Sequence, residues 1–150
     1  SSDTQQEKTM SGNQSMSQNK AGNSNASKNE SMNEGAGMTS AGLKPVYFDF
    51  DKSYIRDDAK AAMKANADWL KVNAKVKIKI AGNCDERGTK EYNQALGQRR
   101  SVSAKKYLVD MGVSSKRISL ISYGKEKPIC TEHNEDCWQK NRRDDFVITK

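Results

Sequence analysis

The amino-acid sequence changes character abruptly near residue 44. Residues 1–44 contain no Val, Ile, Phe, Tyr or Trp and one Leu, at position 43, whereas nine Ser and six Asn precede residue 42. A segment with so little apolar surface cannot offset the entropy that is lost when it becomes ordered. We therefore predict a disordered tether over residues 1–44 and a folded domain over residues 45–150. A domain of that length can form one two-layer fold with a small core.

The net charge of the chain belongs to the predicted domain. Residues 1–44 hold four of the 26 basic and four of the 19 acidic residues, so the net charge of +7 arises from residues 45–150. Such an excess of positive charge favours binding to a nucleic acid or to a membrane surface. The basic residues are scattered, however, without a run of five or an interleaved series of aromatics, so we predict no nucleic-acid binding. No apolar segment is long enough to span a bilayer, and no signal-peptide core is present, so an exported form would already be processed.

Three cysteines leave two interpretations open. Cys130 and Cys137 lie seven residues apart in a loop-like stretch, and a disulfide between them would close a small ring in an oxidising compartment. The same pair has a C-x2-H-x3-C spacing with His133, and Cys84 could supply a fourth ligand to zinc. Structural zinc sites usually have paired C-x2-C motifs, which are missing here. The sequence favours the disulfide and no metal.

Hydrophobic periodicity predicts four strands and two helices. The strands are expected at residues 46–50, 75–82, 117–124 and 144–149, and the helices from Asp57 to about Asn73 and from about Glu91 to Met111. Thr89 is the expected cap of the second helix and Gly112 its stop. A polar turn is expected around residues 138–143. The order β-α-β-α-β-β predicts an α/β domain with a mixed sheet and both helices on one face.

One arginine of the second predicted helix lies among apolar positions. On a helical wheel, Arg100 falls at the centre of an arc of about 100° that also holds Tyr92, Leu96, Ser103, Tyr107 and Met111. A guanidinium directed toward a sheet is costly unless it is paired, so Arg100 should have a carboxylate partner.

Two kinds of partner are possible for Arg100. Asp85, in the loop that follows the second strand, or another carboxylate could form an internal salt bridge with it. Alternatively, Arg100 accepts a carboxylate from a ligand while Asp85 accepts a ligand ammonium, which together would recognise a zwitterionic amino-acid end.

The sequence offers no catalytic constellation. Cys84 has no evident histidine partner, and Asp85 and Glu86 are consecutive and should point apart. A glycine-rich phosphate loop and an HExxH helix are both missing. We therefore predict a binding module that is not an enzyme and needs no cofactor.

Four stretches resemble a known family: "YFDFDKSYI", "GNCDERGTKEYNQALGQRR", "SYGKEKP" and "KNRRDDFVI", in that order. With them, residues 46–149 resemble the OmpA-like peptidoglycan-binding domain. The resemblance implies that Asp85 binds the ammonium and Arg100 the carboxylate of meso-diaminopimelate in uncrosslinked stem peptides, assisted by backbone amides of the loop near residue 50. It assigns five more residues to the pocket: Phe50, Asp51, Ser53, Arg87 and Leu96. The helix departs from the family pattern at Ser101 and Ala104, which changes packing more than chemistry.

The resemblance also implies a role in the cell envelope. Lipid-anchored members of the family carry a lipid on a cysteine that here would precede Ser1, and they tie the outer membrane to the wall from the periplasmic side. Their implied partner is the periplasmic propeller protein of the Tol system, which acts in envelope integrity and cell division. The cysteine pair occurs in only some relatives. The alternatives are the wall-binding domain of a porin or flagellar stator protein, and a zinc-dependent or nucleic-acid-binding basic module.

Overall fold

A computed structural model describes residues 38–149 as a mixed four-stranded sheet with helices. In chain order the elements are β1 Val46–Tyr47, α1 Lys60–Val72, β2 Ile78–Asn83, α2 Lys90–Asp110, β3 Ile118–Gly124, α3 Glu135–Asn141 and β4 Arg143–Ile148. The strand order is β1-β4-β2-β3. Strand β2 runs parallel to β3, and β4 runs antiparallel to β1 and β2. The predicted mixed α/β sheet is confirmed. No helix within residues 38–149 has the length and apolar character needed to cross a membrane.

The main core lies between the sheet and helices α1 and α2. Alternation along β2 directs Ile78 and Ile80 to this side, where they meet Met63 and Leu70 of α1 and Leu108 of α2. All five side chains are 1% exposed or less. The helices therefore cover one face of the sheet, as the sequence predicts.

A close approach between two glycines fixes where α2 lies on the sheet. A Cβ atom added to Gly82 of β2 would lie 1.8 Å from the carbonyl oxygen of Gly97 in α2. Only two residues without side chains permit this contact. It brings Arg100, one turn further along α2, over the carboxyl end of β2.

The buried face of α2 differs from the predicted one. Its buried residues include Leu96, Gly97, Arg100, Ser101, Ala104 and Leu108, whereas Tyr92 is 46% exposed. The helical wheel placed the large apolar residues on the buried face. Small residues face the sheet instead, because the helix lies so close to it at Gly97.

Residues 38–44 are folded, in contrast to the predicted tether. The Thr39 hydroxyl accepts a hydrogen bond from the Phe146 amide at 3.1 Å and donates to the Asp145 carboxylate at 2.9 Å. The Ser40 amide donates to the Phe146 carbonyl at 2.9 Å, and Met38 is 2% exposed. These residues satisfy the part of β4 that the short β1 leaves unpaired. The prediction for residues 1–37 lies outside the described residues.

Two predicted elements need correction. The strand predicted at residues 46–50 ends at Tyr47, because the chain then turns. The backbone amide of Lys52 donates to the Asp49 carbonyl, and Asp51 has a φ of 60°. The predicted polar turn near residue 138 is helix α3. Its N-cap is Asn134, whose side chain accepts a hydrogen bond from the backbone amide of Cys137 at 2.9 Å.

Candidate functional site

A small cavity opens where β2 ends and α2 begins, with a volume of ≈ 90 Å³. Six of the seven residues predicted to bind a ligand line it, and these are Phe50, Asp51, Asp85, Arg87, Leu96 and Arg100. The seventh, Ser53, lies within the described chain but is not a lining residue. The parallel strand and the helix packed on it thus bring together residues that are up to 50 positions apart in sequence.

Arg100 is completely buried, and backbone carbonyls surround it. Its Nε donates to Lys52 O at 2.8 Å, Nη1 to Asn83 O at 2.9 Å and Nη2 to Asp49 O at 3.0 Å. Burial lowers the pKa of Arg100, yet a guanidinium remains charged in proteins. Within residues 38–149 no carboxylate lies within 4.0 Å of it. Of the two kinds of partner that the sequence left open, the internal salt bridge between Asp85 and Arg100 does not form among these residues, because each residue is held by other groups.

Asp85 is a buried carboxylate held by two arginines. Arg87 approaches it with its guanidinium, Nη2 to Oδ2 at 2.8 Å and Nε to Oδ1 at 3.2 Å, and with its backbone amide at 3.0 Å. Arg142 adds a longer contact of 3.4 Å. Burial alone would raise the pKa of Asp85, but the hydrogen bonds and charge of Arg87, together with the Arg142 bond, outweigh it and lower the pKa. Asp85 is consequently ionised at neutral pH.

Arg87 stands between two aromatic rings at the edge of the cavity. Its guanidinium carbon lies 4.0 Å from the ring centre of Phe50 and 4.0 Å from that of Trp138. Cation–π contacts of this kind fix the orientation of a long side chain that otherwise has many rotamers. The stack therefore joins the loop near residue 50, the loop after β2 and helix α3.

Glu86 fastens the same loop to the segment that carries the disulfide. Its Oε2 lies 2.6 Å from His133 Nδ1 and accepts a hydrogen bond from Trp138 Nε1 at 2.7 Å. The bond from His133, and then that from Trp138, lower the pKa of Glu86, while Glu86 raises the pKa of His133. One edge of the cavity is thus tied to a second loop.

The three cysteines match the disulfide interpretation. Cys130 and Cys137 form a disulfide, with their Cα atoms 5.4 Å apart. Cys84 is buried, its thiol donates to Asn93 O at 3.2 Å, and burial raises its pKa to about 12. The zinc alternative therefore has no support in this arrangement, because two of its four ligands are joined to each other.

Several residues of the site were not given a role from the sequence. Arg142 donates to Phe48 O at 2.8 Å and to Glu135 at 2.7 Å besides its contact with Asp85. Arg142 belongs to the "KNRRDDFVI" stretch. That stretch supports the family resemblance, but the resemblance assigns no role to Arg142. The sequence gives no indication that Trp138 belongs to the site, because its partner Glu86 is 52 positions away.

Asp144 is a second buried acid close to the site. It lies on β4 opposite Gly82 of β2 and Val46 of β1, and it is 0% exposed. Neither carboxyl oxygen has a hydrogen-bond partner among the described residues. Burial raises its pKa well above the usual value, although Arg100 acts in the opposite direction. Burial without hydrogen-bond partners therefore favours the protonated form of this carboxyl group.

The chain belongs to the OmpA family, whose model matches residues 47–142. Within the family it groups with the peptidoglycan-associated lipoproteins. It is 46% identical over 98 residues to the peptidoglycan-associated lipoprotein of Mesorhizobium japonicum, a match that covers 65% of this chain and 58% of the relative. It is 41% identical over 113 residues to that of Pseudomonas putida, covering 73% and 68%. The chain thus spans little more than half of the first relative.

Solved structures support the same grouping. The crystal structure of the peptidoglycan-associated lipoprotein from Burkholderia pseudomallei matches with a TM-score of 0.68 and 43% identity, over 70% of this chain and 89% of that one. The C-terminal domain of Helicobacter pylori MotB matches with a TM-score of 0.67 over 73% and 86%, but at 22% identity. The second match shows the fold alone, so the lipoproteins are favoured over the stator alternative.

Proposed function

We propose that this domain binds peptidoglycan non-covalently, without enzymatic activity, through the meso-diaminopimelate of uncrosslinked stem peptides. The observation that carries the proposal is that Asp85 and Arg100, of opposite charge and not paired with each other, line one cavity of ≈ 90 Å³. A cavity of this size suits one end of a side chain. The free end of diaminopimelate has an ammonium and a carboxylate on one carbon, so it offers one partner to each residue. The names of the lipoprotein relatives state an association with peptidoglycan.

Arg100 suits the ligand carboxylate because its charge is not neutralised nearby. A guanidinium has five N–H donors, whereas the described residues accept three hydrogen bonds from it. The carbonyls that accept them fix its plane without cancelling its charge. A carboxylate that enters the cavity thus meets an oriented and desolvated cation, which strengthens the attraction.

Asp85 suits the ligand ammonium, although its acceptor positions are occupied in the free domain. A carboxylate offers about four lone-pair positions, and Arg87 and Arg142 together donate four hydrogen bonds to it. The 3.4 Å contact of Arg142 is the weakest of these, and Arg142 keeps Glu135 and Phe48 O as partners without it. We propose that the ligand ammonium replaces this contact. Phe50, Asp51, Arg87 and Leu96, which line the same cavity, complete the proposed pocket, and Ser53 follows in the same loop as Phe50 and Asp51.

The proposal extends to the cell envelope. With a lipid on a cysteine that precedes Ser1, the domain would lie in the periplasm and anchor the outer membrane to the wall. The periplasmic propeller protein of the Tol system is its proposed partner, in envelope integrity and cell division. The names of the relatives, which describe lipoproteins, support the anchor.

Calorimetric titration with a stem peptide that contains diaminopimelate tests the assignment. For Arg100→Ala we expect a loss of affinity of at least about tenfold, because charge-assisted hydrogen bonds contribute about 1.5–3 kcal/mol each. Arg99→Ala is the matched control, since Arg99 is the neighbouring arginine and does not line the cavity. Undiminished binding of the peptide by Arg100→Ala would contradict the proposal.

A second ligand makes the test independent of folding, because removing a buried arginine can unfold the domain. In a stem peptide with lysine in place of diaminopimelate, only the distal carboxylate is missing. We expect the unaltered chain to bind this peptide at least about tenfold more weakly. Equal affinity for the two peptides would show that Arg100 does not hold that carboxylate.

A further inference from the structure

The charges of the domain are separated between its two ends. The stretches that follow β1, β2 and β3, residues 48–58, 84–91 and 125–136, hold 11 of the 15 acidic residues beyond residue 44. The segments that lead into β2 and β3, residues 71–79 and 111–117, hold six basic residues and no acidic one. Because the cavity opens where β2 ends, the positive charge is concentrated at the opposite end of the domain.

Contacts hold these two basic segments together as one surface. The guanidinium of Arg117, just before β3, donates to three backbone carbonyls of α1 and the turn that follows it. The acceptors are Leu70 O and Asn73 O at 2.8 Å and Val76 O at 2.9 Å. Lys71, near the end of α1, also lies beside the turn that follows α2, because a Cβ atom added to Gly112 would be 3.5 Å from its Nζ. The ends of both helices and the starts of both strands thus form a continuous surface.

Four lysines of this surface are exposed and have no acidic partner. They define the basic end of the domain: Lys71, Lys75, Lys77 and Lys116. Within residues 38–149 no carboxylate lies within 4.0 Å of any of the four ammonium groups. Other exposed lysines of α1 are paired, Lys60 with Asp57 at 3.0 Å and Lys64 with Asp68 at 3.1 Å. The positive charge of the basic end is therefore uncompensated within the described chain.

Exposed apolar side chains accompany the lysines of the basic end. Val72, which follows Lys71 as the last residue of α1, is 83% exposed, more than any other large apolar residue within residues 38–149. Val109, in the last turn of α2, is 38% exposed. Apolar side chains among lysines are typical of surfaces that lie on a lipid bilayer, where the apolar group enters the interface and the ammonium groups stay at the phosphates.

We propose that the basic end docks on a membrane surface that carries anionic phospholipid headgroups. Each lysine within reach of such a surface contributes a favourable electrostatic interaction that requires no fixed geometry. A protein partner matches the basic end less well, because protein interfaces are depleted in lysine and enriched in arginine, whose planar guanidinium suits directional pairing. The one arginine of these segments, Arg117, is already bonded within the fold.

Distance keeps the acidic end of the domain from opposing this interaction. Helix α2 runs from the cavity to the basic end over 21 residues, which corresponds to about 30 Å. Charges in solution are largely screened beyond about 10 Å. A domain docked in this way directs its cavity away from the membrane. The inference goes beyond the proposed function and does not depend on it, because the two surfaces lie at opposite ends.

Co-sedimentation of the 150-residue chain with vesicles tests the proposal. The vesicles contain phosphatidylcholine alone or an equimolar mixture of phosphatidylcholine and phosphatidylglycerol. We expect binding to the mixed vesicles at low salt, little binding to them at high salt and little binding to phosphatidylcholine alone. Lys71→Gln with Lys75→Gln should weaken binding to the mixed vesicles by at least about tenfold, because each lysine near an anionic surface contributes about fivefold.

Lys60→Gln with Lys64→Gln is the matched control. It removes the same charge from exposed positions of α1 whose lysines are paired with carboxylates, so vesicle binding should stay within about twofold. Val72→Asp should weaken vesicle binding by about fivefold or more, because it exchanges an apolar group for a negative charge. All these variants should keep the affinity of the unaltered chain for the stem peptide, so the two proposals are tested separately.

The outcomes distinguish the basic end from a general effect of charge. The membrane proposal is overturned if the unaltered chain binds neither kind of vesicle. It is also overturned if the two double variants bind the mixed vesicles equally, since net charge alone would then account for the binding. If the lysines of the basic end affect only the capture of an acidic protein, the surface belongs to that protein and the membrane assignment is wrong. Failure of the unaltered chain to bind the stem peptide contradicts the proposed function alone.

Discussion

Replacing Asp144 by valine should stabilise the domain, although Asp144 is among its most deeply buried residues. Neither carboxyl oxygen is hydrogen-bonded within the described chain, and the side chain is 0% exposed. Valine is close to aspartate in size and suits a strand position. The substitution therefore removes two unsatisfied polar atoms and leaves little empty space.

The magnitude follows from two costs that the carboxyl group imposes. A buried polar group without a partner costs about 1–3 kcal/mol. In addition, the folded state must take up a proton above pH 3.8, the usual pKa of Asp, because burial raises the folded-state pKa of Asp144 well above it. We expect a gain of at least about 2 kcal/mol at pH 7, which corresponds to a rise in Tm of roughly 8 °C or more.

The advantage of Asp144→Val should depend on pH. Because the folded state binds the proton more tightly, stability of the unaltered chain falls as pH rises from the unfolded pKa toward the folded one. Valine does not titrate, so the stability of the variant lacks this pH dependence. Its advantage should thus be smallest near pH 4 and grow by about 1.4 kcal/mol per pH unit until the folded-state carboxyl ionises.

Urea unfolding at several pH values between 4 and 8 measures this difference. Asp145→Val is the matched control, because Asp145 is the next residue on β4 and equally buried but has partners, Arg143 at 2.9 Å and Thr39 at 2.9 Å. That variant leaves Arg143 unpaired and should lose about 3–5 kcal/mol. The reasoning is refuted if Asp144→Val is destabilised by a similar amount, since Asp144 would then be an ionised counter-charge to Arg100.

Three further predictions follow from contacts elsewhere. Gly82→Ala should prevent folding or cost more than about 3 kcal/mol, because its Cβ would lie 1.8 Å from a backbone oxygen of α2; an unchanged Tm would contradict the close packing. Removing the disulfide by Cys130→Ser with Cys137→Ser should cost about 2.5 kcal/mol, and Trp138 fluorescence should report any loosening of its stack on Arg87. Thr39→Val should cost about 1–3 kcal/mol in urea unfolding, because the Phe146 amide loses its acceptor; no loss would show that residues 38–40 do not stabilise the sheet.

The parts of the fold that sequence predicts are those where local pattern and tertiary contact agree. The alternation in β2 and the cap and stop of α2 are local signals, and each is confirmed: the Thr89 side chain accepts from the Tyr92 amide, and Gly112 has a φ of 104°. Residues 38–44 fall in the predicted tether because residues 1–44 lack Val, Ile, Phe, Tyr and Trp. They are ordered through hydroxyl groups that complete β4, and composition does not register that kind of contact.

Six of the residues that line the cavity were named from the sequence, but the contacts that hold them were not. Arg100 stood out on the wheel because a buried charge is unusual, and the structure confirms its burial. Its partners could not be read from the sequence, since they are backbone carbonyls at positions 49, 52 and 83. A carbonyl belongs to every residue, so its position depends only on the path of the chain. The arginine partners of Asp85 were missed for a related reason, because Arg142 is 57 positions away.

An internal salt bridge between Asp85 and Arg100 would have stabilised the free domain and closed the site to a zwitterion. The structure keeps the two charges apart by giving each a different kind of partner. Carbonyl dipoles hold Arg100 without neutralising it, and burial raises the pKa of the nearby Asp144, which disfavours its ionised form. Asp85 is held by arginines, one of which has other acceptors. A buried cation without a counter-ion lowers stability. We propose that a ligand in the adjacent cavity supplies the missing negative charge.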